Sequence, residues 1–331
     1  MCAAFLRMAS VGKTFPGLQL SRRFRVQNEK REGYSTMNSG NDPPDGLPGQ
    51  AAADFRQRLE AWLQQFERCS QKPSRRRVHE LRVFTQRLLA ELAYCRRSDH
   101  LDAKALRTTK HWQKQGKKLR RALSSVREAD VSLEMLARLR LESALPVRAE
   151  LRPSPRCLTQ IDRLEKDLER ERANAAKALL GSLKEQRTAL DGLHEQLVER
   201  LSAPMLRMGS RAASMMEELI AALEGEFTRL DGDNLHTFRK RVKQVRSLAE
   251  IAALGDLRAK AQAAALKKMQ AATGAWRDCH VLANRARRAH ADALTEILEA
   301  QADQALHKAL DRCRRLLAKL GESRENIGSA F

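Results

Sequence analysis

The sequence predicts an all-α protein in which two similar helical halves follow a disordered N-terminal tail. Three observations lead to this fold: a composition rich in helix formers, too little material for a sheet, and a set of motifs that occurs twice. From Ala51 to Leu320 the chain consists largely of Ala, Leu, Glu, Gln, Lys and Arg, the strong helix formers. Aromatic residues make up only 4% of the 331 residues, and runs of the β-branched residues that favour strands are few.

Composition also excludes several classes of protein. No apolar run approaches the roughly 18 residues that a membrane-spanning helix needs, so no membrane partner is expected. Six cysteines are scattered without a C-x-x-C pair, which argues against a disulfide scaffold or a structural zinc site. The sequence therefore predicts neither a metal nor any other cofactor.

The first 50 residues differ from the rest of the chain. They contain 4 of the 9 prolines and 6 of the 16 glycines, a density of turn formers that does not sustain a helix. We predict a disordered tail over residues 1–50. The apolar patch around Cys2–Leu6 is shorter than the roughly 7–15 residues of a signal-peptide core, so we do not expect a signal peptide. A second hypothesis is that translation starts at Met37.

The helical body divides into a predicted first half, residues 51–202, and a second half, residues 203–321. Its prolines mark helix boundaries, and short joints around Gly225, Gly255 and Gly274 favour antiparallel bundles over a continuous coiled coil. The predicted helices are 53–70, 75–97, 101–124, 127–142, 158–181, 184–202, 211–230, 234–254, 256–273, 276–299 and 302–320.

One motif occurs in both halves, 157 residues apart. His79 precedes Arg82 by three residues, as His236 precedes Arg239, and an apolar residue stands before each of the four. The apolar positions advance in steps of three, four and three, the seam of a helix that faces a partner helix. These seams are Val78, Leu81, Thr85 and Leu88 in one half, and Leu235, Phe238, Val242 and Val245 in the other.

A polar stripe lies one residue beyond the second seam. It contains His236, Arg239, Lys243 and Arg246, which follow the same steps. A shift of one residue turns the stripe by about 100° from the buried seam. We therefore expect these side chains on the shoulder of the helix, where their stems pack and their charged ends reach out.

A second pair of motifs follows at an offset of 150 residues. Lys117-Lys118 corresponds to Lys267-Lys268, and Arg127 corresponds to Arg277. Because the order of the motifs is the same in both halves, the pattern indicates an internal duplication. We expect Arg127 with Asp130, and Arg277 with Asp278, to form intramolecular ion pairs at helix starts, where acidic residues suit the helix dipole.

The excess positive charge is concentrated in these repeated segments. Residues 75–121 contain 15 Lys and Arg against 4 acidic residues, and residues 239–288 contain 13 against 3. Together they account for the whole net charge of +21. Like charges at helical spacing repel one another, so their retention in both halves favours a polyanionic partner.

These motifs resemble the CHAD domain, the conserved histidine α-helical domain, over about residues 53–320. The resemblance implies two four-helix-bundle-like halves related by an internal pseudo-two-fold repeat. It also implies a basic surface between the halves that binds inorganic polyphosphate, in cytoplasmic proteins that attach to polyphosphate granules. Because no β-rich segment accompanies the motifs, the chain looks like a stand-alone member. Polyphosphate-metabolism enzymes and granule surfaces are further expected partners.

The sixteen candidate binding residues are basic or histidine side chains in the repeated motifs. They are His79, Arg82, Arg87, Lys110, Lys114, Lys117, Lys118, Arg121, His236, Arg239, Lys240, Lys243, Arg246, Lys260, Lys267 and Lys268. The first half departs from the family pattern because Gln86 and Leu89 occupy positions that are usually basic, although Arg87 offers a neighbouring charge. We therefore expect the first half to bind more weakly.

No catalytic motif is found in the sequence, neither a P-loop nor a G-x-S-x-G nor an H-E-x-x-H pattern, so we expect a protein that is not an enzyme. Two alternatives remain open. The same charges would bind nucleic acid as a non-specific polyanion, although the basic faces carry few aromatic residues for base stacking. A scaffold on the surface of polyhydroxyalkanoate granules is the other alternative.

Overall fold

The computed structural model describes residues 48–96, 101–144, 154–206, 208–253 and 256–328. Within these ranges the chain forms eight α-helices and no strand, which confirms the all-α class. The helices are α1 (Pro48–Gln71), α2 (Arg75–Cys95), α3 (Ala103–Ala144), α4 (Pro155–Leu206), α5 (Met208–Glu226), α6 (Leu235–Ala252), α7 (Leu257–Arg288) and α8 (Asp292–Gly328). None of these helices is both long enough and apolar enough to span a membrane. The predicted tail lies outside the described residues, except for positions 48–50, which begin α1.

Several predicted breaks are absent because buried residues continue through them. Helix α3 passes the predicted break after residue 124, where the Ser124 hydroxyl donates to the carbonyl of Arg120 at 2.8 Å and Val126 is fully buried. Helix α4 likewise passes Gly181 between the buried Leu179 and Leu183. Helix α7 continues through Gly274, and α8 through residues 299–302. The predicted boundary of the halves at residue 202 falls in the last turns of α4.

A turn interrupts the predicted helix 276–299 instead. Helix α7 ends at Arg288 and α8 begins at Asp292. His290 has a φ of 53°, and the N–H of Ala291 donates to the carbonyl of Ala286 at 3.0 Å. These are features of a Schellman cap. The prediction was wrong here because the left-handed position is occupied by histidine instead of the usual glycine.

The helices pack as two sets of four. In the first set, α1 and α3 each contact α2 and α4. In the second set, α5 and α7 each contact α6 and α8. Between the sets, α2 contacts α6, α3 contacts α7 and α4 contacts α8, so the second, third and fourth helices of each set meet their counterparts. Helix α4 also contacts α5, which follows it in the chain. The predicted four-helix grouping agrees with these contacts, whereas the pseudo-two-fold repeat stays a prediction.

Two apolar clusters hold the helices together. The larger one contains residues of both sets, including the predicted seams of α2 and α6, which are 0–3% exposed and therefore confirmed. The smaller one joins the end of α3 and the start of α4 to the turn between α7 and α8, and includes Leu136, Ile161 and Leu294. The two clusters flank the middle of α3 and of α7.

A buried carboxylate ties the first set together. Asp130 is fully buried, and its Oδ1 accepts a hydrogen bond from Nε of Arg172 at 2.7 Å and lies 3.3 Å from Nε of Arg75. Arg172 also donates to the carbonyl of Pro73 at 3.2 Å. The predicted intramolecular pairing of Asp130 is thus found, but its partners come from α2 and α4 instead of Arg127, and it lies inside α3 instead of at a helix start.

Candidate functional site

Four helices enclose a cleft of about 660 Å³. Helices α2 and α3 form one side, and their counterparts α6 and α7 form the other. The cleft is lined by eight Lys and Arg residues, two histidines and only two acidic residues. The charged and histidine residues are His79, Arg82, Lys117, Arg120, Arg127, Glu128, His236, Arg239, Lys240, Lys243, Arg277 and Asp278.

The buried seams of α2 and α6 place the His-x-x-Arg motifs in this cleft. Because Phe238 is fully buried, the next residue, Arg239, lies at the edge of the core and lines the cleft. Leu81 and Arg82 stand in the same relation on α2. The two arginines, 157 positions apart in the sequence, thereby face one space.

Helices α3 and α7 add further cations, one helix on each side of the cleft. Along α3 the cleft residues Lys117, Arg120, Ser124 and Arg127 follow steps of three, four and three, so they form one stripe of the helix. Arg277 occupies the corresponding wall on α7. The predicted ion pairs of Arg127 and Arg277 at helix starts are wrong, because both residues lie in helix interiors and neither has a carboxylate within 4 Å among the described side chains.

The guanidinium of Arg82 is partly desolvated and surrounded by like charges. Burial lowers its pKa first, and the charges of Arg127, Arg120 and Arg239 lower it further. Its Nε donates to the hydroxyl of Ser124 at 3.3 Å, which links α2 to α3. A phosphate oxygen would relieve the repulsion among these guanidinium groups.

Arg239 is the least satisfied cation of the cleft. Its Nε is buried and has no hydrogen-bond partner, and burial lowers its pKa. An unsatisfied buried donor costs free energy, so this atom is poised to bind an acceptor that enters the cleft. The sequence placed Arg239 in the site, but only the fold shows that the protein provides no partner for Nε.

Lys243 lies one turn further along α6. Burial lowers its pKa to about 8, and the positive charges of Arg239, Arg82 and Arg120 act in the same direction. The ammonium group therefore retains its charge near neutral pH and loses it as the pH rises above about 8. Binding an anion would restore the pKa toward its ordinary value.

Asp278 is one of the two acidic residues that line the cleft. Burial raises its pKa, while the charges of Arg239, Arg127 and Arg277 oppose that shift. Despite these neighbours, no ion pair of Asp278 within 4 Å is found among the described side chains, so the expected Arg277–Asp278 pair is not formed there. One carboxylate thus only partly offsets the cationic field.

The two histidines differ in their surroundings. His79 is exposed at the rim. His236 is half-buried, and its pKa is lowered by burial and then by the charges of Lys240, Arg277 and Arg239. These effects favour the neutral imidazole of His236, which offers a ring N–H as a donor instead of a charge.

Nine of the sixteen predicted binding residues lie outside the cleft. Three of them pair with carboxylates: Arg246 Nε donates to Glu250 at 2.9 Å, Arg87 Nε lies 3.5 Å from Glu250, and Lys118 Nζ lies 3.2 Å from Glu185. The other six are exposed, namely Lys110, Lys114, Arg121, Lys260, Lys267 and Lys268. Gln86 and Leu89, the departures from the family pattern, do line the cleft.

Sequence reasoning missed Arg120 as a cleft residue. It belongs to the stripe of Lys117, Ser124 and Arg127, whose three-four-three spacing is visible in the sequence. The sequence prediction instead continued the basic face of this helix from Lys117 to Arg121, which has the same spacing, and it placed Arg127 in the next predicted helix.

The basic lining of the cleft is suited to binding an anion. No three His, Cys, Asp or Glu residues in the described ranges are grouped to hold a metal ion. The guanidinium groups can donate paired hydrogen bonds to phosphate oxygens, whereas the lysines supply adaptable point charges. Their number suits a ligand that carries a charge on every unit.

Comparison with known proteins identifies the fold. The CHAD domain model matches residues 53–287. The structure of PptA from Streptomyces chartreusis is similar, with a TM-score of 0.53, 15% sequence identity, and coverage of 84% of this chain and 100% of that chain. At that identity the likeness concerns the fold alone. No curated protein matches the chain.

Proposed function

This chain belongs to the CHAD domain family, whose members bind inorganic polyphosphate, and we propose that it holds polyphosphate in the basic cleft without catalysing a reaction. One observation carries the proposal: eight cationic side chains from four helices converge on one cleft against two acidic ones. Arg239 even lacks a partner for a buried donor. A chain of phosphates would supply the missing acceptors along its whole length.

Polyphosphate suits this cleft better than nucleic acid does. Among the described residues, the cleft lining contains no Phe, Tyr or Trp, so bases would find few side chains on which to stack. A polyphosphate has no bases and carries about one charge per unit, so its affinity depends on cations alone. We therefore propose nucleic acid only as a non-specific competitor.

The cleft proposal is tested with the double variant R239A/K243A. Both side chains are partly desolvated cations in the cleft, so their loss should weaken binding of long-chain polyphosphate by roughly 10- to 100-fold. Titration of labelled polyphosphate measures this effect. The melting temperature should not fall, because neither residue makes an ion pair that the fold would lose.

A matched control removes two charges elsewhere. Lys177 and Lys184 are exposed on α4 and do not line the cleft. The variant K177A/K184A should retain the wild-type affinity. Equal weakening by both variants would contradict a cleft site and indicate only a dependence on net charge.

The cellular role that we propose is attachment to polyphosphate granules in the cytoplasm. A receptor with several cations gains affinity from the many equivalent phosphates on a granule surface. A fluorescent fusion of the wild-type chain should mark granules, whereas the R239A/K243A fusion should be diffuse. Granule marking by both fusions would favour a scaffold that binds protein or polyester.

A further inference from the structure

A second basic concavity lies between α3 and α4, outside the cleft. It encloses about 320 Å³, and its lining includes Lys104, Arg107, His111 and Arg200 but no acidic residue among those that the structure describes. These cations come from the first turns of α3 and the last turns of α4. The cleft, by contrast, begins at Lys117 and continues toward the other end of α3.

The cations of this concavity are not neutralised by ion pairs. Arg200 is half-buried, and its Nη1 donates to the hydroxyl of Thr108 at 3.1 Å. Within the described ranges, neither Lys104 nor Arg107 has a carboxylate within 4 Å. Asp102 caps α3, because its Oδ1 accepts a hydrogen bond from the N–H of Ala105 at 2.6 Å. This hydrogen bond lowers the pKa of Asp102, and the charges of Arg200 and Lys104 lower it further.

A row of cations connects the concavity with the cleft. Arg107, Lys110, Lys114 and Lys117 follow one another in steps of three, four and three along α3, so they share one stripe. All four are exposed. At about 1.5 Å per residue the row is roughly 15 Å long. It ends in the concavity at Arg107 and in the cleft at Lys117.

We infer that the concavity is a second subsite for phosphate, which a long polyphosphate chain reaches from the cleft along this row. The inference rests on the proposed function. A triphosphate fills the cleft alone, whereas a long chain binds the cleft, the row and the concavity at once. The second subsite therefore contributes affinity only for long chains, as expected for linked sites on one ligand.

The test compares two ligands and two charge-matched variants. The variant K104Q/R107Q removes two exposed charges of the concavity, and K177Q/K184Q removes two exposed charges of α4. We expect K104Q/R107Q to weaken long-chain polyphosphate binding roughly five- to tenfold and to leave triphosphate binding unchanged. Its salt dependence for the long chain should also become shallower by about one unit of slope. The K177Q/K184Q variant should match the wild type with both ligands.

Three results would overturn the second subsite while leaving the cleft proposal intact. These are unchanged long-chain affinity in K104Q/R107Q, equal weakening for triphosphate and long chains, and an equal loss in K177Q/K184Q. Failure of the wild-type chain to bind polyphosphate at all would instead overturn the proposed function. Since all four substituted residues are exposed, equal melting temperatures will verify that the variants are folded.

Discussion

Arg239 and Lys243 lie one turn apart on α6, with their charges partly removed from water and with no carboxylate within 4 Å among the side chains that the structure describes. Desolvation disfavours a charged group, and the surrounding guanidinium groups add repulsion. Such residues lower the stability of the unliganded fold. They remain useful because an anion that enters the cleft gains the interactions that the fold does not satisfy.

Lys243 should therefore lower the free energy of unfolding of the unliganded protein. Its folded pKa of about 8 lies below the ordinary value of 10.5, so the unfolded chain holds more protons between these values and the stability of the wild type rises with pH across that window. Replacement with Met removes the cost of the buried charge. At pH 7 we expect K243M to have a free energy of unfolding that is higher by roughly 1–2 kcal/mol, after allowance for solvent screening, and therefore a higher melting temperature. The variant should also bind polyphosphate more weakly.

Thermal unfolding at a series of pH values checks this expectation. The advantage of K243M over the wild type should shrink as the pH rises above about 8, because Lys243 then loses its proton in the folded state. The variant K240M, at an exposed position of the same helix, should change stability little. A lower melting temperature for K243M at pH 7 would show that the lysine stabilises the fold.

At the level of the helices, Gly116 permits a close contact in the first set. A Cβ at this position would lie 2.7 Å from Cζ3 of Trp112 and 3.1 Å from Cδ2 of Leu89. Trp112 is buried, and its ring packs edge-on against Trp62 of α1 with centroids 5.3 Å apart. Glycine thus makes room for a tryptophan that joins α3 to its neighbours.

Gly116 of α3 and Gly181 of α4 should respond in opposite ways to substitution by alanine. G116A should destabilise the protein by roughly 1–2 kcal/mol, because overpacking exceeds the gain of about 1 kcal/mol in helix propensity. G181A should stabilise it by about 0.5–1 kcal/mol, since nothing lies within 4 Å of the added Cβ. Urea unfolding monitored by tryptophan fluorescence compares them. Equal effects of both substitutions would contradict a packing role for Gly116.

For the molecule as a whole, the decisive property is that the charge of two distant segments meets in one place. The segments 75–121 and 239–288 carry the entire net charge of +21, and each contributes residues to the cleft. Contacts between corresponding helices, such as α2 with α6, bring the segments together. The resulting field attracts polyanions and depends on ionic strength.

Binding of polyphosphate should therefore weaken steeply with salt. If the cations of the cleft neutralise about eight phosphates and release the counterions of these phosphates, the slope of log K against log salt should be roughly −6. Double-stranded DNA at equal charge should compete poorly, because a stiff duplex is too wide to follow the cleft. Titrations at several salt concentrations measure both properties. A slope near zero, or displacement by DNA at equal charge, would contradict the proposed specificity.

Local patterns determined much of the fold and part of the site. Helix-forming composition predicts the all-α class. The three-four spacing of Val78, Leu81 and Thr85 on α2, and of Leu235 and Phe238 on α6, predicts which faces are buried. Burial of these seams then fixes the neighbouring Arg82 and Arg239 at the edge of the core. Helix ends were harder to predict, because a glycine inside a packed helix, such as Gly181, and a histidine in a left-handed cap, His290, reverse the usual signals.

The helical class, the buried seams and the concentration of positive charge can be predicted from the sequence, since they depend on spacing and composition along each helix. Which cations share a space depends on the packing of the helices against one another. Lys267 and Lys268 belong to the repeated motif yet lie outside the cleft, whereas Arg120 and Arg277 line it. The tertiary structure alone also left Nε of Arg239 without a partner. The physical reason is that desolvation, repulsion and unmet hydrogen bonds depend on distances between helices, which no pattern along the chain specifies.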